Sequence, residues 1–177
     1  MADQGPMIAL GGEKALTKRG IDAPGASYDE YVQKWASGEQ TLKQIKDYST
    51  DDLYQIAQHA YTLYLNGKFR DAQTIFEGLV AIDPKSDYYY RALGVVYHRR
   101  GDAERAIRQF NHAIKVNPQS IAAYVNRAEV HISRRDTVSA LGDLNQAIQL
   151  SSSRSHPLCR KANALRRLLS QRGPGSF

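Results

Sequence analysis

The sequence predicts an all-α fold built from three copies of one helical pair. Small and apolar residues recur with a period of 34 residues between Leu53 and Arg154. Within each copy, apolar residues follow helical spacing in two stripes that a turn separates. A period of this length is typical of stacked helical repeats that bury one continuous core. The recurring sets are Ala72, Ala106 and Ala140; Phe76, Phe110 and Leu144; Ala60, Gly94 and Ala128; and Ile56, Tyr90 and Tyr124.

The turn inside each copy has a recognisable sequence in two cases and not in the third. Gly67 and Gly101 mark the turns of the first two copies, because glycine adopts backbone angles that other residues avoid. The third copy has Arg135-Asp136 at the same place. We expect Asp136 to make this turn, since aspartate tolerates unusual backbone angles better than most residues.

Other segments flank the repeats. Glycine and proline recur near the start of the chain and predict a flexible arm there. Beyond the repeats, an apolar stripe with basic residues largely on its other side predicts a helix that caps the stack. The predicted organisation is an arm at 1–26, a leading helical segment at 27–48, repeats at 53–154, a capping helix at 155–172 and a frayed tail at 173–177.

The leading segment begins with a capping box at Ser27 and Glu30 and has an aromatic face. Two interpretations of this face stay open, because aromatic residues are enriched both in protein cores and in interfaces. The helix either folds back on the first repeat or joins two subunits of a homodimer. The residues of the face are Tyr28, Tyr31, Val32 and Trp35.

Composition and charge limit the functional classes. The chain has 177 residues, of which 42% are hydrophobic and 24% charged, as in an ordinary soluble globular domain. The single cysteine, Cys159, excludes an intramolecular disulfide framework and fits a reducing cytoplasm. No apolar run is long enough to cross a bilayer, and no signal peptide is recognisable at the start. We therefore expect a cytoplasmic protein that does not insert directly into the membrane.

The net charge of +6 arises after Asp143, where six basic residues and no acidic residue follow. Such a tail is a candidate for binding nucleic acid through phosphate contacts. Only Phe177 among the last 24 residues offers an aromatic ring that could stack on a base. A solvated helix face is therefore the preferred interpretation, and nucleic acid is not an expected partner.

Catalytic signatures are missing from the sequence. It has no phosphate loop, no dinucleotide fingerprint and no His-Glu-x-x-His metal motif, and its five histidines do not cluster. His59 and His131 fall at inward-facing positions of their repeats, which favours packing over metal binding. We therefore predict a binding protein without enzymatic activity, cofactor or metal.

A concave surface is the predicted binding site. Stacked helical pairs line such a surface mainly with the first helix of each pair, on the side away from the recurring residues. Its start is aromatic and apolar, and its middle is basic. The residues predicted to line it are Tyr54, Ala57, Tyr61, Tyr64 and Leu65; Tyr88, Arg91, Val95, His98 and Arg99; and Ala122, Val125, Glu129 and Ile132.

The repeats resemble the tetratricopeptide repeat family in period and residue types. Over about residues 28–152, the chain resembles a narrower group, the class II translocator chaperones of bacterial type III secretion. The segments that carry this resemblance are Ser37 to Ile45, Ser49 to Tyr54, Gly67-Lys68-Phe69, Tyr89 to Gly94 and Arg127-Ala128-Glu129.

The resemblance implies a short right-handed solenoid of three tetratricopeptide repeats, with a leading amphipathic helix and a C-terminal capping helix. It implies a bacterial cytoplasmic chaperone that works without ATP and dimerises through its leading helices. Hydrophobic translocator proteins would be the partners, with an extended segment in the concave groove. On this resemblance Tyr54, Tyr61, Tyr64, Tyr88, Val95 and His98 are the expected client contacts. The alternative is a general repeat scaffold for folded proteins.

Overall fold

The computed structural model describes residue 37, residues 40–151 and residues 156–171. All regular secondary structure in these residues is α-helical, which confirms the predicted fold class. The predicted arm, the aromatic face of the leading segment and the frayed tail lie outside the described residues. Numbered in chain order, the helices are α1 (Leu42–Ile45), α2 (Thr50–Leu65), α3 (Phe69–Ile82), α4 (Asp87–Arg99), α5 (Ala103–Val116), α6 (Ile121–Ser133), α7 (Thr137–Leu150) and α8 (Pro157–Gln171).

The described residues divide into two units between Thr50 and Asp51. In the second unit α4 packs on α5 and α6 packs on α7, which are the predicted second and third pairs. Neighbouring pairs stack through α3 against α4 and α5 against α6, and α8 covers α7 and part of α6. This stack is the architecture that the period of the sequence predicts.

The second helix of each pair supplies a repeated buried stripe. Each of α3, α5 and α7 has three buried apolar residues at equivalent positions of the repeat. The first is an alanine, the second is a large residue, and all are at most 1% exposed. Two residues of α8, Ala162 and Leu169, join the core cluster at the end of the stack, so this helix caps it. The repeated stripe consists of Ala72, Phe76 and Leu79; Ala106, Phe110 and Ala113; and Ala140, Leu144 and Ala147.

The buried stripe of α2 differs from the predicted one. Leu53, Ala57 and Ala60 are fully buried, whereas Ile56 is 39% exposed. Ala57 therefore belongs to the core and not to the concave surface. These buried residues are four and then three positions apart, so they lie on one face of α2, and His59 lies on another face. The predicted inward position of His59 is wrong, because its side chain is exposed.

Val125 of α6 is also core and not groove surface. Helix α6 lies among α4, α5, α7 and α8, so more than one of its faces is covered. Val125 and Ala128 belong to the core cluster, while Ala123 and Val130 are buried elsewhere on the same helix. The prediction of one buried and one open face is therefore wrong for this helix.

The three turns share one backbone conformation. Gly67, Gly101 and Arg135, each 34 residues apart, have φ angles of 75°, 80° and 61°. Asp136 does not adopt the left-handed conformation expected of it. It is instead the N-cap of α7, where its side chain accepts a hydrogen bond from the backbone N–H of Ser139. Arginine thus occupies the position at which the other copies have glycine.

A buried ion pair joins α6 to α7. The guanidinium of Arg127 contacts both carboxylate oxygens of Asp143, with Nη2 at 2.6 Å from Oδ1 and Nε at 2.9 Å from Oδ2. Its Nη1 donates to Oδ1 of Asn111 on α5 at 2.6 Å. Because Asp143 is only 6% exposed, this bidentate arrangement satisfies a charge that would be costly to bury alone.

Helices α4 and α5 pack closely at Gly94. A Cβ built at this glycine would lie 2.7 Å from Cε1 of Phe110, which is inside the normal contact distance. Phe110 is fully buried and has no room to withdraw without moving its neighbours. The absence of a side chain at Gly94 therefore sets the distance between α4 and α5.

We predict that Gly94→Ala is less stable to urea than Gly78→Ala by about 1–3 kcal/mol, because only the first change overpacks the core. The added Cβ at exposed Gly78, in the interior of α3, meets no atom within 4 Å. Both substitutions gain the same helix propensity of about 1 kcal/mol, so their difference isolates the steric effect. Equal stabilities for the two variants would contradict the close packing at Gly94.

We predict that Arg135→Gly is more stable to urea than Arg135→Ala by about 1 kcal/mol, since the left-handed conformation strains any residue with a Cβ. Both changes remove the arginine side chain, so the comparison reports on the backbone alone. An alanine variant at least as stable as the glycine variant would show that this turn is not strained.

Candidate functional site

A groove of about 700 Å³ runs along the first helices of the repeats and reaches α8. On α4 it is lined by Val95, His98 and Arg99, which lie within one helical turn of each other. On α6 it is lined by Glu129 and its neighbours on the same face. Helical spacing thus brings residues from separate repeats to one surface.

An aromatic and apolar surface, here called the aromatic patch, lies on α2 and the start of α4. It consists of Tyr54, Tyr61, Leu65 and Tyr88, which are all exposed. Tyr61 is 53% exposed and its ring stacks on Tyr64, a groove residue, with 6.0 Å between centroids. The patch and the groove are therefore connected through the ring of Tyr64.

Tyr88 is an electrostatic neighbour of the other two tyrosines of the patch. Burial raises the pKa of the Tyr88 phenol, and the nearby phenols of Tyr54 and Tyr61 raise it further, while Arg91 opposes them. The guanidinium carbon of Arg91 lies 5.6 Å from the centre of the Tyr88 ring, a cation–π distance. The phenol of Tyr88 is therefore neutral at physiological pH.

Two arginines of the predicted site are fixed by polar contacts. Nε of Arg91 lies 2.9 Å from Oδ2 of Asp87, and that oxygen also accepts a hydrogen bond from Oγ of Ser120 at 2.8 Å. Nε of Arg99 donates to the phenol oxygen of Tyr64 at 3.0 Å. This last bond holds the ring of Tyr64 between α2 and α4, where Phe69 also contacts it.

The far end of the groove is polar. Nζ of Lys161 on α8 lies 2.8 Å from Oε1 of Glu129 on α6. His98 is half-buried on α4, and burial lowers the pKa of its imidazole. Glu129 opposes this lowering, whereas Arg99 adds to it. The groove therefore has an aromatic ring at α2 and an ion pair between α6 and α8.

The family model described as tetratricopeptide repeat matches residues 57–112 and 99–155. The chain belongs to the tetratricopeptide repeat family. This membership agrees with the stacked helical pairs and with the period of the buried stripe.

Curated relatives of this repeat protein include two kinds. Tetratricopeptide repeat protein 36 of Danio rerio is 41% identical over 66 residues, which cover 37% of this chain and 35% of that protein. Low calcium response locus protein H of Yersinia pestis is 25% identical over 85 residues, which cover 48% of this chain and 51% of that protein. The matches thus span between about a third and a half of these relatives.

The solved structures that are similar to this repeat protein include translocator chaperones. SycD, the type III secretion translocator chaperone of Yersinia enterocolitica, is 20% identical with a TM-score of 0.70, over 73% of this chain and 98% of SycD. PcrH in complex with the chaperone binding region of PopD is 25% identical with a TM-score of 0.65, over 70% of this chain and 95% of PcrH. The likeness to SycD shows a common fold.

The structure distributes the predicted site residues over three places. The groove is lined by six of them, Tyr64, Val95, His98, Arg99, Glu129 and Ile132. Tyr54, Tyr61, Leu65 and Tyr88 form the aromatic patch, with Arg91 against Tyr88. Ala57 and Val125 lie in the core.

Five groove residues escaped the sequence analysis, and one of them, Phe110, was predicted as core alone. Asn126 and Ser133 share a face of α6 with Glu129, at spacings of three and four residues, and this spacing would have found them. Lys161 and Leu165 lie one turn apart on α8. They were missed because the concave surface was assigned to the first helices of the pairs alone.

Metal-binding clusters and membrane-spanning helices are absent from the described part of the chain. None of its His, Cys, Asp and Glu side chains form a group of three or more that could hold a metal ion. Among its helices, none has the length and apolar character needed to span a bilayer.

We predict that the free energy of unfolding falls more steeply between about pH 7 and about pH 5 in the wild-type protein than in His98→Gln. The pKa of His98 lies below its ordinary value of 6.5 in the folded protein, so the unfolded chain binds a proton first as the pH falls. Stability is therefore present above this window and is lost through it. Urea titrations at several pH values measure the effect, and parallel curves for the two proteins would contradict it.

Proposed function

We propose that this chain is a chaperone that binds hydrophobic translocator proteins of bacterial type III secretion and keeps them soluble before export. The observation that carries the proposal is the aromatic patch beside the groove. Tyr61 and Leu65 are 53% and 63% exposed on the same helix, one turn apart. Such a connected apolar surface marks a site that a partner covers.

The apolar residues of the patch and groove suit an extended segment with spaced apolar anchors. Burying one apolar side chain contributes about 1.5–3 kcal/mol. Two or three anchors on the patch and in the groove therefore give a dissociation constant of about 1 μM, after the cost of ordering the segment is subtracted. Tyrosine and arginine are the residue types that most often dominate such interfaces.

Similar proteins support this choice of partner. SycD has been crystallised with a peptide of the translocator YopD, and PcrH with the chaperone binding regions of PopD and PopB. We extend this partner class to the present chain, with the client segment in contact with Tyr54, Tyr61, Tyr64, Tyr88, Val95 and His98. Masking apolar segments needs no nucleotide, so the activity is binding alone.

Two further features belong to the proposal. We place the chaperone in the bacterial cytoplasm, where translocators await export. We also propose a homodimer that forms through Tyr28, Tyr31, Val32 and Trp35, because the sequence predicts an amphipathic helix here whose large apolar residues need a partner surface. The mass of the purified protein in solution, measured by light scattering, decides between dimer and monomer.

A general repeat scaffold for folded proteins is the second candidate function. The observation that favours it is the 41% identity to tetratricopeptide repeat protein 36, which exceeds the identity to the secretion chaperones. A scaffold leaves the solubility of translocators unchanged, whereas a chaperone raises it.

We predict that co-expression with a translocator from the same genome yields a soluble complex that depends on this chain. Tyr61→Ala combined with Leu65→Ala should weaken the complex by about tenfold or more, since each truncated anchor costs about 1 kcal/mol or more. Both side chains are more than half exposed, so the helicity of the free protein should not change. Size-exclusion chromatography and isothermal titration measure the two effects.

Val138→Ala is the matched control, because Val138 on α7 is an apolar side chain that is 83% exposed far along the chain from the patch. Its complex should have the wild-type affinity. A translocator that is equally soluble without this chain, or equal weakening in the double variant and in Val138→Ala, would overturn the proposed function.

A further inference from the structure

A second cleft, of about 570 Å³, lies between α7 and α8. Its lining differs from that of the groove: Lys161 and Leu165 of α8 face the groove, and other faces of the same helix line this cleft. The residues that line the cleft are Ile148, Arg160, Asn163, Ala164, Arg166 and Arg167. We call it the arginine cleft.

The arginine cleft lies where the chain concentrates its positive charge. No acidic residue follows Asp143, so residues 1–143 are electrically balanced and the six later basic residues account for the net charge of +6. Three of those six line the cleft, and none of its lining residues is acidic. The cleft therefore strongly attracts negatively charged groups.

The three arginines differ in how they are held. Arg166 donates to Oδ1 of Asn145 at 3.3 Å and to Oδ1 of Asn163 at 3.2 Å, which fixes its guanidinium. Arg160 and Arg167 are exposed, and their side chains form no ion pair or hydrogen bond with another residue in the described part of the chain. Two guanidinium groups are thus available to a ligand.

We propose that the arginine cleft binds an acidic amphipathic helix of a partner protein. Arg160 and Arg167 lie seven residues apart on α8, which places them on one face about 10 Å apart along the helix axis. Guanidinium groups bind carboxylates in a bidentate manner, so two acidic residues about two turns apart on a partner helix match this spacing. Ile148 and Ala164 supply an apolar floor for the other side of that helix.

The apolar floor favours a protein partner over nucleic acid. A single-stranded nucleic acid would need a ring on which its bases stack, and no aromatic side chain lines the cleft. An acidic helix uses both features of the cleft, its charge and its apolar floor. The site is separate from the proposed client site, and its occupation does not depend on that function.

The probe for this proposal is a fluorescein-labelled peptide that forms an amphipathic helix, with glutamate along one face and leucine along the other. Fluorescence anisotropy with the full chain measures its affinity. We expect a dissociation constant of about 10 μM at low salt, and a weaker one at about 0.3 M salt because exposed charges are screened. Arg160→Ala combined with Arg167→Ala should weaken binding by about tenfold.

The matched control is Arg70→Ala combined with Arg108→Ala, which removes two exposed arginines from α3 and α5 and changes the net charge equally. This control should bind the peptide as the wild-type protein does. Equal weakening in both double variants would show diffuse attraction by net charge and would overturn the proposal.

Three further outcomes would also overturn it. Equal binding of a reference peptide with glutamine in place of every glutamate would show that apolar contact alone is responsible. A single-stranded RNA that binds more tightly through Arg160 and Arg167 would make the cleft a nucleic-acid site. Loss of peptide binding in the Tyr61→Ala and Leu65→Ala variant would place the peptide in the client site instead.

Discussion

The distance between the two helices of a pair is the constraint on which the rest of the structure depends. At Gly94 this distance is so short that a single added carbon would lie 2.7 Å from the ring of Phe110. Close pairing buries the alanine-rich stripe of α3, α5 and α7 completely. Helices α2 and α4 keep an exposed face as well as a buried one, and the proposed client surface lies on that exposed face.

The candidate site combines exposed apolar groups with fixed polar ones. Tyr61 and Leu65 are available to a partner, whereas Arg99 is bonded to the phenol of Tyr64. The ring of Tyr64 and the bound arginine are therefore held in place without a ligand, and under the proposed function this reduces the ordering cost of client binding. At the other end of the groove the Glu129–Lys161 pair joins α6 to α8, so the capping helix helps to shape the surface as well as to close the core.

Repeat period and helical spacing allowed the fold and much of the groove to be predicted from the sequence. The predictions failed where a residue's surroundings come from distant segments. Val125 is buried because four helices surround α6, and Lys161 reaches the groove because α8 folds against that helix. The conformation of Arg135 was not predicted for a different reason. Its φ of 61° follows from the turn that the repeat imposes, and an arginine in the sequence does not indicate a left-handed conformation. Residue spacing in the sequence indicates the faces of a single helix, whereas the burial of Val125 and the position of Lys161 depend on several helices.

Site-specific photocrosslinking tests the central claim, client binding beside the groove, most directly. A photoreactive residue at position 61 lies in the aromatic patch, and one at position 138 lies on an exposed part of α7. With a co-expressed translocator, we expect a crosslinked product of the combined mass at position 61 and none at position 138. Crosslinking at position 138 alone, or equal yields at the two positions, would contradict the account.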